Sequence, residues 1–262
     1  MRKTINYFAS LKQQGVKFSC LTAYDASFSQ LMELAGIECL LIGDSLGMVI
    51  KGQESTLSVS LDEMIYHTQN VSRATTDVFI MSDLPFGLCA SIEQSYQAAV
   101  ALMSAGAQMI KIEGGAVMQE TIKFLTQRGI PICSHLGLLP QSVHKIGGYK
   151  VQGKDVHTAK QILADAQLMV NAGADMILLE CIPHGLAKQL TKEVSVPVIG
   201  IGAGNSCDGQ ILVSYDMLGI TAGGGPSFSH NFLAENNSIE EAIKAYANAV
   251  KSKSFPKLKK ND

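Results

Sequence analysis

Acidic side chains recur at one kind of place in this 262-residue sequence, directly after a short apolar run. Leu40-Leu41-Ile42-Gly43 is followed by Asp44-Ser45, Phe79-Ile80-Met81-Ser82 by Asp83, and Ile110-Lys111-Ile112 by Glu113-Gly114-Gly115. Ile132-Cys133-Ser134 leads into His135, and Ile177-Leu178-Leu179 into Glu180. A single carboxylate in such a position is ordinarily solvated or caps a helix. Asp, Asp, Glu, His and Glu in unbroken succession say more. If the runs are parallel strands of a barrel, their ends share one rim, and barrel enzymes place their chemistry there.

The spacing suggests what that chemistry is. Neighbouring strands lie about 4.8 Å apart, so the Asp44 and Asp83 carboxylates can reach one cation. Lys111 and Glu113, two apart on one strand, point to the same face. Three carboxylates (Asp44, Asp83 and Glu113) at one rim repel one another unless something positive sits among them. Oxygen-only ligands select a hard cation, Mg2+ being the usual choice. Such an ion polarises a carbonyl and stabilises an enolate, while Lys111 offers a fixed positive charge to a substrate carboxylate or developing oxyanion. Glu180 stands apart from the metal pair and is free to act as a general base, with Leu178, Leu179 and Ile182 as apolar flanks that desolvate it; a rim salt bridge is its plainer alternative. Unaided, these residues suggest Mg2+-assisted enolisation of a small keto acid.

The elements that must position them follow from periodicity. Eight short apolar runs, at 18–22, 39–43, 78–82, 109–112, 131–134, 176–179, 197–201 and 217–221, are nearly continuous rather than alternating, as befits parallel strands buried on both faces. Segments with helical spacing lie between them, such as Phe28-Leu31-Met32-Leu34 and Ile162-Ala166-Leu168-Met169. A unit of about 33 residues is close to one strand plus one helix. Ala35-Gly36-Ile37, Ala105-Gly106-Ala107 and Ala172-Gly173-Ala174 recur in the same phase before a run, each reading as a helix that stops on a left-handed glycine. The spacing predicts a single (β/α)8 TIM barrel over residues 1–262, with a short basic C-terminal tail over about 251–262 read as a solvated, frayed end. An open doubly wound sheet is the alternative, since it shows the same alternation.

Composition excludes other classes. Charged residues are 17% and hydrophobic residues 47% of the chain, ample for one large core, and the net charge of −2 is no footprint for nucleic acid. No run is long enough to span a bilayer comfortably, and Met1-Arg2-Lys3-Thr4-Ile5-Asn6 lacks the apolar core of a signal peptide. The six cysteines form no C-x-x-C pair and no zinc spacing, which suits a reducing cytoplasm.

Longer blocks carry a resemblance. Gly43-Asp44-Ser45-Leu46-Gly47-Met48, Gly52-x-x-Ser55-Thr56-Leu57, Ser82-Asp83-Leu84-Pro85-Phe86 and Lys111-Ile112-Glu113-Gly114-Gly115 resemble the signature of the 3-methyl-2-oxobutanoate (ketopantoate) hydroxymethyltransferases. The likeness continues through His135-Leu136-Gly137-Leu138, Pro140-Gln141-Ser142-Val143, the segment from Gly147 to Gly153, Leu179-Glu180-Cys181 and Gly200-Ile201-Gly202-Ala203-Gly204, and so covers nearly the whole chain. It implies a Mg2+-dependent, cytoplasmic (β/α)8 barrel, typically a homodecamer. That enzyme moves a hydroxymethyl group from 5,10-methylenetetrahydrofolate to 3-methyl-2-oxobutanoate, giving 2-dehydropantoate for pantothenate biosynthesis. By motif, Asp44, Asp83 and Glu113 match the metal site. Asp44, Ser45, Asp83, Lys111 and His135 match substrate contacts, and Glu180 matches the proton acceptor. His135 also admits a purely structural reading.

One stretch departs from the pattern: Pro226-Ser227-Phe228 puts Ser227 where the family commonly has a basic residue. Gly200-Ile201-Gly202-Ala203-Gly204 lacks the spacing of a dinucleotide fingerprint and reads as a tight turn from strand to helix. The segment 147–153 reads as a cover for the barrel mouth or an ordinary surface loop. The rival enzyme is a phosphoenolpyruvate mutase/isocitrate lyase-like Mg2+ barrel. The rival from another class is a catalytically silent barrel serving as a binding module, which loss of Asp44, Asp83 or Glu180 would have favoured. Nucleic acid and membrane are not expected partners.

Overall fold

Short apolar strands buried on both faces fit an open sheet or a closed barrel, and here they close on themselves. In a computed structural model that describes residues 1–257, strands β1 (Phe18–Thr22), β2 (Cys39–Ile42), β3 (Phe79–Asp83), β4 (Met109–Glu113), β5 (Ile132–Gly137), β6 (Met176–Glu180), β7 (Val198–Ile201) and β8 (Gly209–Leu212) pair in parallel around a closed barrel. Helices pack outside. Several begin at side chains that accept from the first turn's free N–H groups: Asp25, Ser91, Asp155 and Ser238, with a full capping box between Ser60 and Glu63. The recurrent glycines stop helices as expected, with φ of +87° at Gly36, +117° at Gly106 and +105° at Gly173.

Strand alternation divides the core in two. One cluster, outside the barrel, joins Leu21, Leu40, Ile80, Ile110, Ile177 and Leu179 to the helices. The other fills the inside with Phe18, Cys20, Cys39, Leu41, Phe79, Met81, Met109, Cys133, Met176, Leu178, Ile199 and Ile211. The helix Ile5–Gln14 plugs the end remote from the rim. Its Phe8 meets Phe18 and Phe79 edge-on, with ring centroids 4.9 and 5.3 Å away. The lower barrel is therefore dry and apolar, and any chemistry is confined to the inward positions towards the C-terminal ends of the strands.

The final part of the barrel departs from the expected pattern. The eighth strand is Gly209–Leu212, not 217–221; Met217 and Leu218 instead form the buried face of a short helix, Ser214–Leu218. Strand β8 is hidden in the sequence because two of its four residues are Gly209 and Gln210. A Cβ at Gly209 would stand 2.3 Å from the Phe18 ring, so the aromatic floor of the barrel excludes an apolar side chain there. No helix separates β7 from β8 among the described residues, so the Gly200–Gly204 turn leads into a loop rather than a helix. Gly202 and Gly204 take left-handed φ of +59° and +76° within it.

The C-terminal segment is anchored as far as Phe255. Lys251 ends the last helix and pairs with the buried Glu38 at 2.8 Å. Phe255 is buried edge-on against Phe232 and Tyr246, whose hydroxyl donates to the carbonyls of Cys20 and Gln210. This replaces the frayed tail expected from 251 onward, because an aromatic residue inside the basic run finds a place on the core; residues 258–262 of that tail lie outside the described residues. All six cysteines are free, and among the described residues no helix is long and apolar enough to cross a membrane.

The aromatic floor gives a prediction. Gly209→Ala should cost about 1–3 kcal/mol in urea unfolding, the usual penalty for overpacking a filled core. A loss below about 0.5 kcal/mol, the scale of an ordinary surface change, would contradict this placement of Phe18.

Candidate active site at the barrel mouth

Strands β3 to β6 turn ionisable side chains inward at their last turn, directly above the apolar layers. Register sets their neighbours: Asp83 lies beside Lys111, and Glu113 beside His135, on adjacent strands, while Glu180 pairs with Gly137 at the end of β5. Asp44 and Ser45 follow Ile42 and Gly43 at the end of β2. A Cβ at Gly43 would lie 2.7 Å from Ser45 Oγ and 3.6 Å from Asp83 Oδ2, so glycine is what leaves this corner open.

The residues read from the sequence converge. Asp44 N–H donates to Asp83 Oδ2 at 3.0 Å. Lys111 Nζ lies 2.8 Å from Asp83 Oδ1, 3.8 Å from Glu113 Oε1 and 3.2 Å from His135 Nδ1. His135 bridges two acids, with Nδ1 3.5 Å from Glu113 Oε1 and Nε2 3.3 Å from Glu180 Oε2. Glu180 is the most open member of this ring, at 15% side-chain exposure against 3% for Asp83 and 4% for Glu113. Of its expected apolar flanks, Leu178 shares the inner face, whereas Leu179 belongs to the outer cluster.

Burial and charge set the protonation preferences. Burial alone works against the Lys111 ammonium, but Asp83, Glu113 and Asp44 outweigh it and raise its pKa. Burial likewise opposes the Glu113 charge, yet His135, Lys111 and the Gln141 N–H pull its pKa below the ordinary value. For Asp44, burial and then the Asp83 charge win, and its carboxyl is held well above the usual range. Burial and Lys111 disfavour charge on His135, while Glu113 and Glu180 raise its pKa overall.

Two further residues belong to the site. Gln141, in the 3-10 turn Pro140–Ser142, donates from Nε2 to Asp44 Oδ2 at 2.8 Å and to the Leu84 carbonyl at 2.9 Å, and its own N–H donates to Glu113 Oε2 at 3.0 Å. Tyr24, buried past the end of β1, hydrogen-bonds the Ser45 hydroxyl at 2.9 Å. Gln141 falls in one of the family-like blocks, but nothing in the sequence gives it or Tyr24 a role at the site. Gln141 lies in a loop and Tyr24 follows an apolar run, and only the barrel's closure brings them to the carboxylates. The segment 147–153 lies at the mouth: the Tyr149 hydroxyl contacts Met48 Sδ at 3.7 Å, and Gln152 N–H donates to the Cys181 carbonyl at 2.8 Å. Burial, then the charges of Glu180, Asp44 and Glu113, raise the Tyr149 pKa, as expected of a hydroxyl facing the acidic ring. Ser227 is elsewhere, beside a cavity of about 550 Å³ lined by Cys181, His184, Phe228 and Phe255 and by none of the rim carboxylates.

The donor set suits a hard cation. Asp83 Oδ1, Glu113 Oε1 and His135 Nε2 are buried without an aligned hydrogen-bond partner, although charges lie close to each. Two adjacent carboxylates with an incompletely bonded oxygen are what a divalent ion relieves. Among the described residues no three His, Cys, Asp or Glu side chains close into a complete cage. Mg2+ needs none, being commonly held by one or two carboxylates with water and substrate oxygens.

A closed parallel barrel whose inward rim is ionisable defines a TIM-barrel enzyme. Comparison with known sequences makes it specific: the chain belongs to the ketopantoate hydroxymethyltransferase family, whose model matches residues 2–258. It is 55% identical over 258 residues to the 3-methyl-2-oxobutanoate hydroxymethyltransferase of Nitrosococcus oceani, and 54% identical over 257 residues to that of Nitrosospira multiformis, covering 98% of this chain and 98% of the relative in both cases. Among solved structures, a putative phosphonomutase from Burkholderia cenocepacia superposes with TM-score 0.65 at 17% identity, over 82% of this chain and 95% of that one. The 2,3-dimethylmalate lyase, a member of the PEP mutase/isocitrate lyase superfamily, gives 0.61 at 15% identity, over 99% and 91%. These likenesses establish a shared fold and leave activity to the family.

The buried ion pairs yield a pH-dependent prediction. Lys111→Met should cost about 3–5 kcal/mol near neutral pH, because Asp83 and Glu113 lose their buried counter-charge. The lowered pKa of Glu113 means its stabilisation is present above the unfolded value and fades as pH falls. The variant lacks the part of that contribution owed to Lys111, the rest coming first from His135, so the gap from the parent should hold from pH 7 down to about 4.3, where unfolded glutamates protonate, and narrow only below that pH. Unfolding curves in which the gap stays constant below about pH 4 would refute the assignment.

Proposed function

We propose that this chain transfers a hydroxymethyl group from 5,10-methylenetetrahydrofolate to 3-methyl-2-oxobutanoate, giving 2-dehydropantoate in pantothenate biosynthesis, with Mg2+ at Asp44 and Asp83. One observation carries the reading: the inward ring of ionisable side chains on β3 to β6, in a chain of this family. Asp44 and Asp83 would hold the ion directly, with Glu113 as the third carboxylate of the site. Mg2+ there would supply Lewis acidity, polarising the keto acid's carbonyl so that its C3–H becomes acidic.

The rest falls to the protein's own groups. Lys111, fixed between Asp83 and Glu113, binds the substrate's negative oxygen, and the Ser45 hydroxyl, held by Tyr24, orients it. Glu180 takes the C3 proton; it is the most exposed acid of the ring, and among the described residues no lysine pairs with it. His135 fixes the Glu180 carboxylate from one side and Glu113 from the other. Water opens the donor's methylene bridge, breaking both N–C bonds to release tetrahydrofolate and a formaldehyde equivalent; the C3 carbanion adds to that carbon, and its oxygen, which came from the water, takes up the proton held by Glu180 to become the new hydroxyl. The segment bearing Tyr149 is placed to keep bulk water from the mouth. The same reading expects a cytoplasmic homo-oligomer, a decamer by family resemblance. Exposed apolar side chains such as Leu34, Tyr66, Val117 and Val156 are compatible with cover by further copies.

Two measurements test this. Turnover of 3-methyl-2-oxobutanoate with 5,10-methylenetetrahydrofolate and Mg2+ should be observed and should stop on chelation; a folate-independent reaction would overturn the reading. Glu180→Gln should abolish exchange of the keto acid's C3 proton with deuterated water while Mg2+ still binds. Exchange at the parent rate would remove Glu180 as the base.

A further inference from the structure

Three carboxylates at one rim must be kept at a workable spacing when no ligand is there to do it, and one residue outside the strands contacts two of them. Gln141 reaches Asp44 Oδ2 with its side-chain amide and Glu113 Oε2 with its main-chain amide, and its second side-chain contact, to the Leu84 carbonyl, ties it to the chain just after Asp83. It thereby spans the ends of β2, β3 and β4 from a turn that leaves β5.

That turn is itself fixed. Gly137 adopts φ +94°, and a Cβ there would stand 2.3 Å from the Glu180 carbonyl oxygen, so only glycine lets the chain pass. The next N–H, that of Leu138, donates to the same carbonyl at 2.8 Å. From there Pro140 starts a 3-10 turn, and the N–H of Gln141 points at Glu113. One short segment thus links the backbone of the proposed base to the acids that face it. A carboxylate offers about four lone-pair directions. Gln141 uses one on Asp44 and one on Glu113, leaving the others for a ligand.

We infer that Gln141 is a positioning residue for the metal site: it orients Asp44 and Glu113 for a divalent cation without itself touching substrate. The inference rests on the Mg2+ reading above and names the residue that makes the site pre-formed. Partners that orient metal-binding carboxylates typically alter metal affinity by about 10–100-fold when removed.

The test is calorimetric titration of Mg2+ alone into the full-length parent and into Gln141→Leu, which keeps side-chain bulk and the main-chain N–H but loses the side-chain donor. The variant should remain folded by circular dichroism and bind Mg2+ at least about 10-fold more weakly. In turnover, the Mg2+ concentration for half-maximal rate should rise by the same factor, while kcat at saturating Mg2+ stays within about twofold of the parent; a purely structural role would lower stability without that split. If Gln141→Leu does not fold, Gln141→Asn, one methylene shorter with the same amide, should show the shift in the same direction. A folded variant with parental or tighter Mg2+ affinity overturns the inference while leaving the metal reading intact. Failure of the parent to bind Mg2+ overturns that reading and this inference with it.

Discussion

The ammonium of Lys111 is the group on which the barrel mouth depends. It is buried with carboxylates around it, and an unpaired charge in that position would cost several kcal/mol. Asp83 at 2.8 Å and Glu113 at 3.8 Å share it. Without it, the inward positions of β3 and β4 would present like charges over an apolar floor with no buried counter-charge between them. With it, the acids lie close together and incompletely hydrogen-bonded, and Glu113 is held below the ordinary carboxylate range by His135 and Lys111. That state is stable enough to fold and still receptive to a cation and an anionic substrate.

Everything below that ring serves to keep it in place. The inner layers built on Phe18, Phe79, Met109 and Met176, sealed by Phe8, exclude water from beneath the charges. Strand register then determines which groups meet: Asp83 beside Lys111, Glu113 beside His135. A slip of one residue would turn every one of these side chains to the helix side. The fold therefore contributes the alternation that puts apolar side chains low and ionisable ones high on the same inward face. His135, which the sequence leaves open as a structural residue, is the link between the Lys111 cluster and Glu180.

Much of this was legible in the sequence, and the reasons are physical. Strands β1 to β7 stand out because parallel strands buried on both faces need continuous apolar residues, and each polar residue that ends a run is conspicuous. Strand β8 was not legible, since Phe18 demands glycine opposite and Gln210 bonds the Gly204 carbonyl instead of joining the core. The apolar pair Met217–Leu218 mimicked a strand while serving a short helix. The rim residues followed from parity along a strand, which is local. Gln141 and Tyr24 did not, because their partners lie 97 and 21 residues away and are met only through barrel closure. The outward turn of Leu179 shows the same limit: adjacency in sequence is not adjacency in the site.

The central claim is that the inward carboxylates beside Lys111 form one site for a cation and a keto acid. A crystal structure of the protein grown with Mg2+ and 3-methyl-2-oxobutanoate tests it most directly. One ion should lie within about 2.1 Å of an oxygen from each of Asp44 and Asp83, with the keto acid's oxygens completing its shell and C3 facing Glu180. An ion bound elsewhere, or a keto acid lodged with C3 turned away from Glu180, would contradict it.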